Sequence, residues 1–164
     1  MDINQEVEYL RSIPMLSKLD SSKLKLLAFT SRLVEYHDGE YLFRKQDPAD
    51  SAYLIMKGEA EVVSEPEGAC AEVDDSPQVV LVRGEGELIG EMAVLSRQGR
   101  TASIRARGTL TALRIEGDMF VQLLTSNSDV ALDVMRQLSD KLAQAHEANN
   151  QLQQQLMTLS AGVN

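Results

Sequence analysis

Between Ser31 and about Ile115 the chain never sustains a helical repeat. It breaks into short β-branched or alternating runs, each closed by a turn signal. Arg32-Leu33-Val34-Glu35-Tyr36 ends at Asp38-Gly39, a turn signal. Tyr41-Leu42-Phe43 ends at Gln46-Asp47-Pro48. Ala52-Tyr53-Leu54-Ile55-Met56 runs into Lys57-Gly58, and Glu59-Ala60-Glu61-Val62-Val63 alternates as a half-buried strand does. Gln78 to Val82 is another short strand. Thr101 to Ala106 and Leu110 to Ile115 form a closing pair around Gly108. Short strands at this spacing predict a small barrel or roll. Ser64 to Pro77, acidic and carrying Pro66, Gly68 and Pro77, reads as a surface hairpin loop.

Helical signals bracket this region. Val7 and Leu10 sit at helical spacing within Glu6 to Arg11. Asp20-Ser21-Ser22 is a plausible N-cap for a helix holding Leu24, Leu26, Leu27 and Phe29. Helices resume near Asp118, break at Ser126-Asn127-Ser128-Asp129, and end in one long helix. There Met135, Leu138, Leu142, Ala145, Asn149, Leu152, Leu156 and Leu159 alternate by three and four. That is a coiled-coil seam with Asn149 at an a position, where a buried amide favours a parallel, in-register dimer. Val130, Ala131 and Val134 are the residues expected to pack on the body instead. The organisation expected is a ligand-binding unit over residues 1–145 and a dimerisation helix over 130–160.

With 164 residues and 43% hydrophobic content, the chain can bury one core. Tryptophan is absent and aromatics make up 4%, so that core must be aliphatic. A net charge of −9 argues against phosphate backbones and anionic membranes as partners, and no basic patch is segregated from it. Arg136 and Lys141 are the only fixed positive charges after Ser128. The single cysteine, Cys70, excludes an internal disulfide and reads as a loop thiol. The N-terminus lacks a signal-peptide pattern and no run approaches the ~18 apolar residues of a membrane span. A cytoplasmic location is expected.

One segment carries chemistry: Leu88-Ile89-Gly90-Glu91-Met92-Ala93-Val94-Leu95-Ser96-Arg97-Gln98-Gly99-Arg100-Thr101-Ala102. Gly90 lets backbone approach a ligand. A helix start presents free N–H groups to an anion. The Glu91 carboxylate can accept from a sugar hydroxyl, and the Arg100 guanidinium can grip phosphate oxygens in a fork. A surface ion pair between Glu91 and Arg100, worth about 0–1 kcal/mol, is the plain alternative.

The full string closely resembles the phosphate-binding cassette of cyclic nucleotide-binding domains, and the likeness extends from about Ile13 to Ala145. It includes Asp38-Gly39, Tyr53 to Ala60 and Gly84-Glu85-Gly86. The resemblance implies an α+β, mainly β fold: an eight-stranded β-roll flanked by N-terminal helices and a long C-terminal helix. It implies that Glu91 holds the ribose 2′-hydroxyl and Arg100 the exocyclic phosphate oxygens. Backbone N–H groups near Met92, Ala93 and Ala102 would complete the anion site. Gly99 stands where the family often has proline. Catabolite-activator-type members read adenine with a Thr-Ser pair on the long helix, where this chain has Ala145-His146. His146 is the candidate base contact, or a solvated surface residue. The Thr101 hydroxyl suits a guanine amino group or a phosphate oxygen equally, and cAMP is favoured over cGMP.

No catalytic or metal-binding pattern accompanies the cassette. His37 and His146 lack ligand spacing, and there is no nucleophile elbow, P-loop or kinase signature. The ligand is then the only small molecule expected, with no cofactor. The resemblance stops short of a helix-turn-helix, so the output is expected to pass through an effector protein. A non-enzymatic, homodimeric cyclic nucleotide sensor is the reading. The alternative is an adaptor with a vestigial pocket that acts through its coiled-coil helix.

Overall fold

The computed structural model describes residues 2–64 and 76–162. Cys70 and the acidic stretch 65–75 lie outside the described residues. Helices α1 (Ile3–Arg11) and α2 (Ser21–Thr30) precede strands β1 (Arg32–Tyr36), β2 (Tyr41–Phe43), β3 (Ser51–Ser64), β4 (Gln78–Arg83) and β5 (Leu88–Ile89). A short helix α3 (Glu91–Ser96), strand β6 (Ser103–Glu116) and helices α4 (Gly117–Ser126) and α5 (Ser128–Ala161) complete the chain. All ladders are antiparallel. The main path runs β1-β6-β3-β4, with β2 added to β6 and β5 to β3.

The mainly β roll with flanking helices is the expected fold, drawn with six strands among the described residues rather than eight. The difference lies at two glycines. Gly58 and Gly108 adopt φ of +92° and +67°, but they do not end their strands. The β3–β6 register slips on both sides of Lys57 instead, the second time across Gly58, so a position expected as a turn is an irregularity inside one long strand. A Cβ on Gly58 would lie 2.4 Å from the Thr109 carbonyl oxygen, which is why that crossing demands glycine.

The pleat of β3 and β6 sorts the core into two layers, because successive side chains point to opposite faces. Leu54 and Met56 of β3 and Leu113 and Ile115 of β6 face the helices. They meet Leu10, Leu16, Leu24, Phe120, Val130 and Val134 there. Tyr53, Ile55, Leu110 and Ala112 point into the roll with Phe43, Ile89 and Ile104. The first two helix starts follow ordinary capping chemistry. Asp2 and Gln5 form a reciprocal capping box on α1, and Asp20 accepts from the Lys23 N–H at 2.9 Å on α2.

Helix α5 divides in use. Val130 and Val134 are buried on the body, as expected, and Leu138, expected in the seam, packs against the body with them. The other seam residues, Met135, Leu142, Ala145, Asn149, Leu152, Leu156 and Leu159, are all exposed, Leu142 by 71%. Among the described residues no helix is long and apolar enough to cross a membrane.

Candidate functional site

Every residue that the sequence nominated between Gly90 and Ala102 lines one cavity of about 210 Å³. These are Gly90, Glu91, Met92, Ala93, Arg100, Thr101 and Ala102. The convergence begins at Gly90, which caps α3 in the left-handed region at φ +76°. A Cβ there would lie 2.5 Å from Arg100 Nη1 and 3.1 Å from a Phe43 ring carbon. Glycine thus clears the space that the guanidinium occupies.

Arg100 is 3% exposed. Its Nη1 donates to the Gly90 carbonyl at 2.8 Å and its Nη2 to the Ser51 carbonyl at 2.6 Å. The guanidinium carbon stands 4.1 Å from the Phe43 ring centroid, within cation–π range. Asp50 contributes a longer contact, 3.8 Å from Nη2. The chain around Arg100 is fastened by two backbone bonds, Arg100 N–H to the Asp47 carbonyl and Gln46 N–H to the Arg100 carbonyl. Burial pushes the guanidinium pKa down, and Tyr53 and Asp50 oppose that shift. One donor, Arg100 Nε, is buried with no acceptor among the described residues. A buried unpaired N–H on a cation is a costly state that an anionic acceptor relieves.

Glu91 opens α3 and is 1% exposed, which is rare for a carboxylate without a partner. Its partner is Lys141 of α5, whose Nζ donates to Glu91 Oε1 and, at 2.6 Å, to the Leu88 carbonyl. Glu91 and Arg100 therefore do not pair with each other. Each is held by groups remote in sequence.

Sequence reasoning missed part of the wall. Phe43, Val62, Leu81, Ile89 and Ile104 supply an apolar side to the cavity, and Arg83 and Lys141 add two cations. Val62 and Leu81 are directly opposite across the β3–β4 ladder, a pairing that no local motif reveals. Lys141 left one signal: it is one of two fixed positive charges after Ser128. His146, the candidate base contact, is exposed on α5 and is not among the residues lining the cavity. Among the described residues no group of three His, Cys, Asp or Glu side chains is arranged to hold a metal ion.

A mainly β roll with flanking helices thus carries a buried acid and a buried arginine on the wall of one cavity. Residues 33–127 match the family model for the cyclic nucleotide-binding domain, and the chain belongs to that family. It is 30% identical over 124 residues to a cAMP-dependent protein kinase regulatory subunit of Blastocladiella emersonii, covering 74% of this chain and 29% of the relative. It is 31% identical over 127 residues to the corresponding subunit of Schizosaccharomyces pombe, covering 77% and 27%. The chain thus spans less than a third of the length of these curated relatives. The regulatory domain of the Toxoplasma gondii kinase, solved with cAMP, superposes with a TM-score of 0.65 at 23% identity. That match covers 87% of this chain and 50% of the other, and it shows the shared fold.

Proposed function

We propose that the cavity binds a cyclic nucleoside monophosphate, cAMP in preference to cGMP, and that occupancy is signalled to an effector protein through α4 and α5. The observation that carries this reading is the burial of Glu91 and Arg100 on one wall, with Arg100 Nε lacking an acceptor. The Glu91 carboxylate suits the ribose 2′-hydroxyl. The Arg100 guanidinium suits the exocyclic phosphate oxygens, joined by backbone N–H groups near Met92, Ala93 and Ala102. The apolar side formed by Val62, Leu81 and Ile104 suits the face of a base.

In this reading residues 1–145 form the ligand-binding unit. Residues 130–160 pair with a second copy through the exposed seam, with Asn149 fixing the register. The domain works in the cytoplasm and performs no chemistry on its ligand. The relatives named as kinase regulatory subunits make a protein kinase the first class of effector to test.

Calorimetric titration of the purified chain with cAMP and, in parallel, cGMP tests the reading. Micromolar or tighter binding of cAMP, and weaker binding of cGMP, is expected. No heat with either ligand, from folded protein cleared of copurified nucleotide, overturns it.

A further inference from the structure

Helices α2 and α4 together line a second groove, of about 170 Å³, that shares no lining residue with the nucleotide cavity. Leu26, Leu27 and Thr30 of α2 and Met119 and Leu123 of α4 form its sides, with Asn127 just beyond α4. The groove is smaller than the ~300–1,000 Å³ usual for a small-molecule site and suits a single large side chain. Its apolar lining continues outward along α2. Leu26 is 52% exposed and Phe29, one turn on, is 84% exposed. Contiguous apolar side chains left open beside charged ones mark an interaction surface.

The charge around this surface is opposite to that of the whole chain. Lys18, Lys23, Lys25 and Arg32 are all exposed, and Asp20 is the only acid between residues 18 and 34. Asp20 is already engaged, accepting from the Lys23 N–H as the cap of α2. Lys23 is the only charged residue that lines the groove, and Asp118 and Asp129, which flank α4, do not reach it. The expectation that no basic patch is segregated from the net charge of −9 therefore fails locally, at α2. One polar need adds to this. Asn127 Nδ2 donates to the Leu123 carbonyl at 2.9 Å, while its buried Oδ1 has no donor among the described residues.

We infer that the α2–α4 groove docks an amphipathic helix of a partner protein, seated by one aromatic side chain and carrying acidic residues one turn to either side. This goes beyond the cyclic nucleotide reading and does not rest on it. Acidic flanks complement Lys23 and Lys25, the only charges on α2. A tryptophan anchor fills an apolar groove and brings the N–H that Asn127 lacks. The occupant is a helix because both walls are helices with paired backbones, which offer an extended strand no ladder bonds. A second copy of this chain fits badly, since a two-fold contact would set Lys23 and Lys25 against their own images. The apolar centre of the patch argues equally against a phosphate backbone.

The chain contains no tryptophan, so the fluorescence of a tryptophan peptide reports its own surroundings. The probe is a helical peptide with one central tryptophan and glutamates one turn away on each side, compared with a twin that carries lysines instead. Without nucleotide, the acidic peptide should shift to the blue and bind at least about ten-fold more tightly than its twin. Lys23→Glu combined with Lys25→Glu should reverse that preference. Leu26→Asp should weaken the acidic peptide at least about five-fold. Phe29→Ser, at a position too open to affect folding, should do the same and serves if the first variant does not fold.

Equal binding of the two peptides, or undiminished binding by Phe29→Ser, overturns the proposal. Sedimentation of the chain with phosphatidylserine vesicles, lost in Phe29→Ser, overturns it in favour of a membrane surface. A lower mass of Phe29→Ser at sedimentation equilibrium overturns it in favour of a second copy. If the native chain binds no cyclic nucleotide but prefers the acidic peptide, only the ligand reading falls.

Discussion

The Arg100 guanidinium donates to the carbonyl of Gly90, ten residues before it, at 2.8 Å. The glycine and the arginine of the cassette are therefore one structural unit, in which backbone of the first anchors the side chain of the second.

That unit makes Arg100→Ala a double loss. For ligand, removing a charged, forked donor should cost roughly 2–4 kcal/mol, or about 30- to 1000-fold in affinity. For the fold, the Gly90 and Ser51 carbonyls lose their donor, a further cost of about 1–3 kcal/mol. Calorimetry with cAMP and urea unfolding measure the two separately. Undiminished affinity in a folded variant would refute the role given to Arg100.

Gly90→Ala should disturb the same unit from the other side. The added methyl meets Arg100 Nη1 at 2.5 Å, and an L-residue is strained at φ +76°. Both stability and cAMP affinity should fall, stability by at least about 1 kcal/mol. Gly39→Ala is the control. Gly39 has φ +82°, yet its Cβ would meet nothing within 4 Å, so only the conformational strain is felt and affinity is retained.

The exposed seam of α5 predicts an effect on association without one on the body. Leu156→Asp should yield monomers by sedimentation equilibrium while the urea midpoint of the β-roll stays within about 0.5 kcal/mol of native, as for a surface position. Asn149→Leu should tighten association and relax its register. A native chain that sediments as a monomer at high concentration would remove the dimer from the reading.

Alkaline pH should unfold the roll partly through Tyr36. Burial, and then the neighbouring Tyr53, raise the Tyr36 phenol from 10.0 to about 12. Between those values the unfolded chain has released the proton that the native chain still holds. This contribution to stability is therefore complete below about pH 10 and is lost as pH rises towards about 12. Phenolate absorbance during a pH titration, with Tyr36→Phe as reference, checks both the raised pKa and the slope.

The parts of the site that could be read directly are contiguous. Gly90, Glu91, Arg100 and Thr101 fall within twelve residues, and their types state their chemistry without any knowledge of the fold. The turn at Asp38-Gly39 and the cap at Asp20 were legible for the same reason, since each closes a local bond, Glu40 N–H to the His37 carbonyl and Lys23 N–H to the Asp20 carboxylate. Gly58 and Gly108 misled locally. A left-handed glycine suits a turn and an irregular strand equally, and only pairing with the opposite strand decides between them.

The sequence by itself determined the roll of short strands, the caps, the leucine seam and the acid–arginine pair, because each is encoded by neighbours in the chain. The tertiary structure alone decided what those two charged groups touch. Glu91 meets a lysine fifty residues away, and Arg100 meets a carbonyl forty-nine residues away. Such partners are chosen by strand register and helix docking, which depend on how the whole core packs and leave no local trace in the chain.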